Sequence, residues 1–371
     1  MKKLYVLTML FSIMACLSAQ DISPDNIKKD MKRVADWQIE HFGDTFSGKN
    51  GPHHPLHWTN GALYVGMVKW ADMADDNSYW EWMKKISEEN EYKLYNRMYH
   101  ADDHTVGQMY IELYRKYGDE KMIEPTKEQL TYINYHPAQT SLVWKGNKFY
   151  KHDRWSWCDA LFMAPPVWAK LYNITGDEMY RDFLMREFKA TTDYLFDKKE
   201  NLYFRDQGYM GKLDNGTKIF WSRGNGWVFA GLANIMDEFD PSSSEYKYFL
   251  KIYKKMAKKL ISIQTEEGHW AMSLLGDKFY PTPETSGSAF YVFGLAWGIN
   301  NGILDKETYE PSVIKGWNSL VSHITADGML GYVQPIGAAP GNAWADKTEV
   351  YGAGAFLSAG AEMYQLVSDK K

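Results

Sequence analysis

The chain has 371 residues and a formal net charge of −5. This acidic balance argues against a nucleic-acid partner, because such binding depends on clustered Lys and Arg. Cys16 and Cys158 are the two cysteines, so the sequence excludes a disulfide framework, and stability has to come from burial of a core.

The N-terminal segment has the pattern of an export signal. Two lysines precede an apolar run over residues 4–14, and small residues follow as far as Ala19. The pattern predicts a signal peptide at residues 1–19, which is too short to remain as a membrane anchor. Cleavage after Ala19 would release a soluble protein, whereas cleavage before Cys16 would leave a lipid-modified cysteine. Both alternatives predict an exported protein, periplasmic or secreted.

Helical periodicity dominates residues 20–371, and no Pro/Gly/Ser-rich linker divides them, so we predict a single domain. No second apolar stretch is long enough to cross a membrane. Caps and breakers predict about twelve helices, near residues 24–42, 60–74, 78–93, 101–117, 119–134, 155–174, 177–196, 223–238, 244–264, 284–302, 306–325 and 350–366.

Two classes of helix alternate along the chain. One class is long and rich in Lys and Glu, as expected of a solvent-facing layer. The other begins with small or polar residues, such as Asn60 and the glycines of 224–226. This alternation predicts an all-α fold, an (α/α)6 barrel of six inner and six outer helices. The alternative is an open α-solenoid, but no consensus repeats at a fixed period. In a barrel, the loops that enter the inner helices share one face, which predicts one active site.

Asp159 is the first candidate catalytic residue, within the aromatic and apolar segment 155–163. Apolar neighbours predict a partly desolvated carboxyl with a raised pKa, as a general acid requires. The alternative interpretation is a helix N-cap that accepts backbone N–H groups.

A second group of polar residues begins another inner helix. Asp102 and Asp103 precede His104, and one aspartate could cap the helix while the other faces the cavity. A carboxyl near Asp159 suits either an inverting glycosidase pair or control of the protonation of Asp159. The three residues could also bind a metal ion, but consecutive side chains at a helix start diverge. We therefore predict no metal and no cofactor.

The segment 221–227 is the most specific string in the chain. Arg223 has a planar fork that suits a carboxylate, while Trp221 and Trp227 suit stacking on sugar rings. The alternative is a structural turn with an arginine on its surface. Arg205 lies between helices and is a candidate for further polar contacts.

In their shared order, these motifs resemble the unsaturated glycuronyl hydrolases, specifically the unsaturated rhamnogalacturonyl hydrolase group of glycoside hydrolase family 105. The fold that this resemblance implies is the (α/α)6 barrel. The matching segments run across nearly the whole chain after the signal, at residues 58–61, 101–107, 157–163, 220–227, 284–288, 298–302 and 351–356.

The resemblance implies a hydrolase that removes a 4,5-unsaturated uronic acid from the non-reducing end of an oligosaccharide made by a polysaccharide lyase. Carbon C4 is protonated, water adds at C5, and the hemiketal opens to release the next sugar. Asp159 matches the general acid/base and Asp102 the second essential aspartate. The residues we predict to bind substrate are Trp58, Asn60, Asp103, His104, Trp157, Met163, Arg205, Trp221, Arg223 and Trp227.

Arg205 departs from the family pattern, because several members have a histidine there. A permanent cation could favour a further acidic group such as a sulfate, so rhamnogalacturonan-type and ulvan-type uronides linked to rhamnose are both candidate substrates. The predicted partner is thus a small acidic oligosaccharide. Two other functions stay open: an inverting (α/α)6 glycosidase on saturated glycans, and a non-catalytic glycan-binding or scaffold protein.

Overall fold

The computed structural model describes residues 22–43, 52–144 and 151–368, so the predicted signal peptide lies outside the described residues. The α-helices within these ranges are α1 (Pro24–Glu40), α2 (Trp58–Met73), α3 (Ser78–Glu89), α4 (Ala101–His104), α5 (Gly107–Tyr117), α6 (Glu124–Tyr135), α7 (Ala160–Met163), α8 (Pro165–Thr175), α9 (Glu178–Leu195), α10 (Ser222–Met236), α11 (Ser244–Ile261), α12 (Thr285–Asn300), α13 (Lys306–Ser322) and α14 (Val350–Ser368). None of them is both long and apolar enough to cross a membrane.

Six helices form a closed inner ring. Helices α2, α5, α8, α10, α12 and α14 each pack against the next, and α14 returns to α2. The side chains of α10 are buried along its whole length, as a helix surrounded by partners requires. Helices α1, α3, α6, α9, α11 and α13 alternate with the ring along the chain and pack outside it. The closed ring confirms the predicted (α/α)6 barrel and excludes the open solenoid.

Helices α2 and α14 approach each other closely at two glycines. An ideal Cβ atom built on Gly66 would lie 2.0 Å from the carbonyl oxygen of Gly354, and one on Gly354 would lie 2.3 Å from that of Ala62. A side chain cannot fit at these two positions, so the backbones of the two helices are in direct contact at Gly66 and Gly354.

Two inner helices begin differently from the prediction. Each starts with a separate single turn, α4 before α5 and α7 before α8. The predicted helix over 155–174 is wrong for residues 155–159, because Trp157 instead forms a β-bridge with Asp206. Pro165 begins α8, and since proline has no N–H and restricts the residue before it, the helix is interrupted at Ala164.

The segments between helices join above the starts of the inner helices. Two antiparallel ribbons precede α10: β1 (Phe196–Asp197) pairs with β2 (Leu202–Tyr203), and β3 (Leu213–Asp214) pairs with β4 (Thr217–Lys218). Single bridges then connect Trp221 with Ser273 and Ala271 with Pro283. These links place the entries of α7, α10 and α12 on one face of the barrel.

Candidate active site

Asp159 directly precedes α7, and its side chain is buried. It caps no backbone N–H, so the helix-cap alternative is wrong. Its Oδ2 atom lies 3.6 Å from Arg205 Nε and accepts the Cys158 S–H, with a sulfur-to-oxygen distance of 3.5 Å. Burial raises the pKa of Asp159, while the charges of Arg205 and Arg223 act in the opposite direction. The site thus holds a carboxyl whose protonation depends on its cationic neighbours.

Asp102 lies in the first turn of α4, which packs against α7. The cap of α4 is His100, whose Nδ1 accepts the backbone N–H of Asp102 at 3.3 Å; the expectation that an aspartate would cap this helix is wrong. The Asp102 carboxylate therefore does not cap the helix. Burial, together with the negative charge of Asp159, raises the pKa of Asp102 to about 7.

Asp102 and Asp159 therefore behave as a coupled pair. Each is desolvated, and the ionised form of one disfavours ionisation of the other, so the pair retains a proton near neutral pH. Thr105 holds the two helix starts together, because its hydroxyl lies 2.7 Å from the Asp102 carbonyl oxygen and 3.1 Å from Met163 Sδ. Met163, predicted to bind substrate, is buried in this contact.

Asp103 and His104 are turned away from the carboxylate pair. Asp103 is fully buried and accepts hydrogen bonds from the backbone N–H of Arg97 at 2.8 Å and from its Nε at 3.0 Å. His104 Nε2 contacts the Met98 carbonyl oxygen at 2.9 Å. Both side chains anchor the loop before α4, so the structure does not bring these two predicted substrate-binding residues together with the carboxylate pair.

Arg223 lies in the first turn of α10 and is buried between two aromatic rings. Its guanidinium carbon is 4.5 Å from the Trp221 ring centroid and 4.7 Å from that of Tyr351. Nη1 donates to the Gln334 carbonyl oxygen at 2.6 Å and Nη2 to that of Pro335 at 2.9 Å. The fork predicted for a carboxylate is thus occupied by backbone, and the alternative of a surface arginine is also wrong.

The predicted aromatic residues differ in accessibility. Trp58 is half-buried and stacks on Tyr351 with ring centroids 5.4 Å apart. Trp227 is fully buried and packs against Phe162 and Phe290 at 4.8 and 4.5 Å. Trp58 is therefore the better placed of the two to contact a sugar ring. Trp227 instead packs among the buried aromatic side chains of the inner helices.

Asn60, Trp157 and Trp221 are buried and hold the walls of the site. Asn60 Nδ2 donates to the His54 carbonyl oxygen at 3.0 Å, which fixes the loop before α2. The Trp157 ring packs 4.8 Å from His100 and 4.5 Å from His152. These three residues therefore position the neighbouring loops and rings around Asp102 and Asp159.

Three residues at the site were missed by the sequence analysis. Cys158 donates to Asp159. It is the only cysteine after the predicted signal peptide, which is the one feature of the sequence that could have identified it. Tyr351 donates to the Gln334 carbonyl oxygen at 2.5 Å and begins a segment that the family resemblance had already included. Gln334 lies in a loop without a recognisable pattern, so no signal in the sequence identifies it.

The ionisable side chains described at the site include carboxyl groups and arginines. Across the described part of the chain, no three His, Cys, Asp or Glu side chains are grouped so that they could hold a metal ion. Arg205 is 18% exposed, against 1% for Arg223. The arrangement therefore supports proton transfer beside a partly accessible cation.

Comparison with known proteins gives consistent matches along the chain. The sequence model of Glycosyl Hydrolase Family 88 matches residues 30–367. An unsaturated 3S-rhamnoglycuronyl hydrolase of Alteromonas sp. (strain LOR) is 37% identical and aligns over 91% of this chain and 86% of its own length. A protein of the same name from Formosa agariphila is 36% identical, with 93% and 92% covered.

A solved structure supports the same relationship. A glycosyl hydrolase family 88 protein from Bacteroides vulgatus has a TM-score of 0.81 and 29% identity to this chain, covering 93% of this chain and 99% of its own. The resemblance to the unsaturated glycuronyl hydrolases is thereby confirmed. The chain is a glycoside hydrolase that belongs to Glycosyl Hydrolase Family 88.

Proposed function

We propose that this enzyme removes a 4,5-unsaturated uronic acid from the non-reducing end of an oligosaccharide in which the next sugar is rhamnose. The names of the two curated relatives, both unsaturated 3S-rhamnoglycuronyl hydrolases, support this substrate class. The observation that carries the proposal is the pair formed by buried Asp159 and partly buried Asp102, with Arg205 beside it.

The proposed reaction begins at the double bond. Protonated Asp159 donates its proton to C4, and the positive charge that develops at C5 is shared with the ring oxygen. A water molecule adds to C5 and loses a proton to the Asp159 carboxylate, which is thereby reprotonated. The C5 hemiketal opens to a ketone, and the hemiacetal left at C1 releases the next sugar as an alcohol. One water is consumed per bond cleaved.

The electrostatics of the site suit this chemistry. Carbon is a weak base, so its protonation needs a carboxyl that still holds a proton near the working pH. Burial raises the pKa of Asp159, and a charge on Asp102 next to it would raise it further. Asp102 is therefore proposed to control the protonation of Asp159 rather than to attack the substrate.

The proposed substrate implies an earlier reaction. A double bond between C4 and C5 of a uronide arises by β-elimination, so we propose that a polysaccharide lyase supplies the oligosaccharide. The signal-peptide pattern of residues 1–19 supports a periplasmic or secreted location for this enzyme, with lipid attachment at Cys16 as the alternative to a free protein.

The test follows the ultraviolet absorbance of the unsaturated ring. We expect the purified enzyme to remove the absorbance of a lyase-made oligosaccharide with rhamnose next to the unsaturated uronate, drawn from a panel of rhamnogalacturonan, ulvan, glycosaminoglycan and alginate products. Sulfated and desulfated forms of the ulvan product show whether a sulfate contributes. Cleavage of saturated glycans with the absorbance unchanged would instead identify an inverting glycosidase, and no turnover of any glycan would favour a binding protein.

A further inference from the structure

Both arginines beside Asp159 have an Nε without a hydrogen-bond partner among the described residues. Arg205 is 18% exposed, against 1% for Arg223, so Arg205 is the one that a ligand can reach. The Nη1 and Nη2 atoms of Arg223 both donate to backbone carbonyl oxygens. Arg205 uses Nη1 for Asp206, at 2.6 Å from Oδ2. Its Nε has no hydrogen-bond partner among the described residues, since the 3.6 Å that separates it from Asp159 Oδ2 is too long for one.

The backbone fixes Arg205 in this position. Its carbonyl oxygen accepts the N–H of Cys158 at 2.8 Å, which ties it to the residue before Asp159. Asp206 is held in turn, because its Oδ1 accepts the N–H of Gly208 at 2.6 Å and its backbone pairs with Trp157. An arginine held on one side by Asp206 presents its remaining donors in a fixed direction, as recognition of a carboxylate requires.

We propose that Arg205 receives the carboxylate of the uronic acid and that this ion pair favours Asp159 as the proton donor, because the bound carboxylate offsets the positive charge next to Asp159. The inference rests on the proposed function and adds a specific role to it: the substrate itself prepares its acid. Arg205 acts as a positioning residue for the substrate and as a switch for Asp159.

The charges around Asp159 support this coupling. Without substrate, the positive charges of Arg205 and Arg223 favour the ionised carboxylate and oppose the effect of burial. Arg223 is tied to backbone and lies 3.9 Å from Glu284, so its contribution stays constant. Several titratable or charged groups face Asp159 or its partners from the packed elements. They are Asp102 on α4, Arg97 and His100 before α4, His152 and Cys158 before α7, Arg223 on α10, and Arg205, Asp206 and Tyr209 after β2.

Binding of the carboxylate changes the charge next to Asp159 at one position only. A negative charge is added next to Arg205, while the remaining groups stay in place. The pKa of Asp159 rises as a result, and near neutral pH the carboxyl takes up a proton from solvent. A neutral ester of the same sugar would fill the site without adding this charge, so the pKa of Asp159 would not rise further and C4 would be protonated less readily.

The first experiment measures proton uptake by the unaltered enzyme. Titration calorimetry near pH 7 in two buffers of different ionisation enthalpy follows binding of methyl glucuronide, a saturated uronide without the reactive double bond, and of its methyl ester. We expect uptake of roughly half to one proton per uronate bound and close to none for the ester. Equal proton uptake for acid and ester, or none for either, would overturn the coupling.

The second experiment combines a change in the substrate with a change in the enzyme. Wild type and the variants Arg205→Gln, Arg205→Lys and Arg223→Gln are assayed by absorbance loss on an unsaturated uronyl disaccharide and its methyl ester. We expect wild type to prefer the acid in kcat/KM by roughly 100-fold, and Arg205→Gln to prefer it by less than about 5-fold. Arg205→Lys should retain part of the preference, since the charge remains but the fork is lost.

The outcomes separate this inference from the proposed function. If wild type consumes no unsaturated uronide, the proposed function fails. If wild type is active and Arg205→Gln keeps the full preference for the acid, the function stands and the role of Arg205 is refuted. Loss of the preference only in Arg223→Gln would move the carboxylate to Arg223. Should Arg205→Gln prove unfolded by circular dichroism, proton uptake by wild type decides alone.

Discussion

Arg223 donates through Nη1 to the backbone carbonyl oxygen of Gln334 at 2.6 Å. The side chain of Gln334 extends the same connection, because it accepts the Trp221 indole N–H at 2.8 Å and donates to the Ala339 carbonyl oxygen at 2.8 Å. The guanidinium thus fastens the loop before α14 to the first turn of α10. Its positive charge reaches Asp159 from a position that substrate does not need to occupy.

Arg223→Lys is therefore expected to destabilise the protein. A lysine cannot donate to both carbonyl oxygens or stack between two rings, and a buried acceptor left unpaired is costly. We expect the free energy of unfolding to fall by about 2–4 kcal/mol, measured by chemical denaturation. Arg205→Lys, at a partly exposed position, serves as the matched control and should lose less than about 1 kcal/mol. Unchanged stability with a raised KM would instead assign substrate binding to Arg223.

Asp159→Asn is expected to abolish turnover while leaving the fold intact. The amide matches the carboxyl in shape and the side chain caps no helix, but it cannot donate a proton to carbon. We expect kcat to fall by about 10³–10⁴-fold, measured by absorbance loss, with an unchanged melting temperature. Activity within tenfold of wild type would exclude Asp159 as the acid.

The matched control for this change is Asp237→Asn. Asp237 is another carboxyl whose pKa is raised by burial, but it follows the C-terminal end of α10, whereas the site lies at the helix starts. Its Oδ1 accepts the Trp297 indole N–H at 2.8 Å, a bond that an amide oxygen can also accept. Asp237→Asn should therefore keep near-normal kcat.

Gly66→Ala tests the contact between α2 and α14. The added Cβ atom would lie 2.0 Å from the Gly354 carbonyl oxygen, and backbone on both sides leaves no side chain that can move aside. We expect a loss of at least about 3 kcal/mol in the free energy of unfolding. Gly43→Ala, where an added Cβ atom meets nothing within 4 Å, should change stability by less than about 0.5 kcal/mol.

The helices and their alternation follow from local patterns in the sequence. Caps, apolar spacing and breakers act over a few residues, so α10 was predicted at 223–238 and is observed at Ser222–Met236. The exception at 155–159 arises from a distant partner, since Trp157 pairs with Asp206 instead of joining a helix. Local propensity cannot anticipate such a bridge.

The orientation of the site residues was harder to predict. Asp103 and His104 adjoin Asp102 in the sequence, but successive side chains on a helix point in different directions, and these two are buried against the loop at Arg97 and Met98. Arg223 has the fork that a carboxylate needs, yet its partners lie 111 and 112 residues away. The positions of the motifs were recognisable, whereas the direction of each side chain depended on contacts remote in the chain.

The raised pKa of Asp102 predicts a specific dependence of stability on pH. An unfolded aspartate releases its proton near pH 4, whereas Asp102 in the fold holds its proton up to about 7. Between these values the folded protein binds more protons, so stability falls as pH rises. The contribution of Asp102 to stability is fully present below about pH 4 and is lost as pH rises through about 7.

Asp102→Asn removes this dependence, because the amide does not ionise. We expect the variant to gain stability over wild type progressively from about pH 4 to about pH 7 and to keep a constant advantage above that, of about 2–4 kcal/mol. Denaturant unfolding at several pH values measures the difference. Asp182→Asn, at an exposed position, should follow wild type throughout. An advantage of Asp102→Asn that does not vary with pH would show that Asp102 is not titrating in this range.

The same measurement in an Asp159→Asn background tests whether the two carboxyls are coupled. Part of the rise in the pKa of Asp102 comes from the charge on Asp159, and an asparagine at 159 removes that charge. The pH at which the advantage of Asp102→Asn becomes constant should therefore move lower, while the part due to burial remains. An unchanged pH dependence would mean that burial alone sets the protonation of Asp102. The two aspartates would then titrate independently, and control of the acid by Asp102 would have to be abandoned.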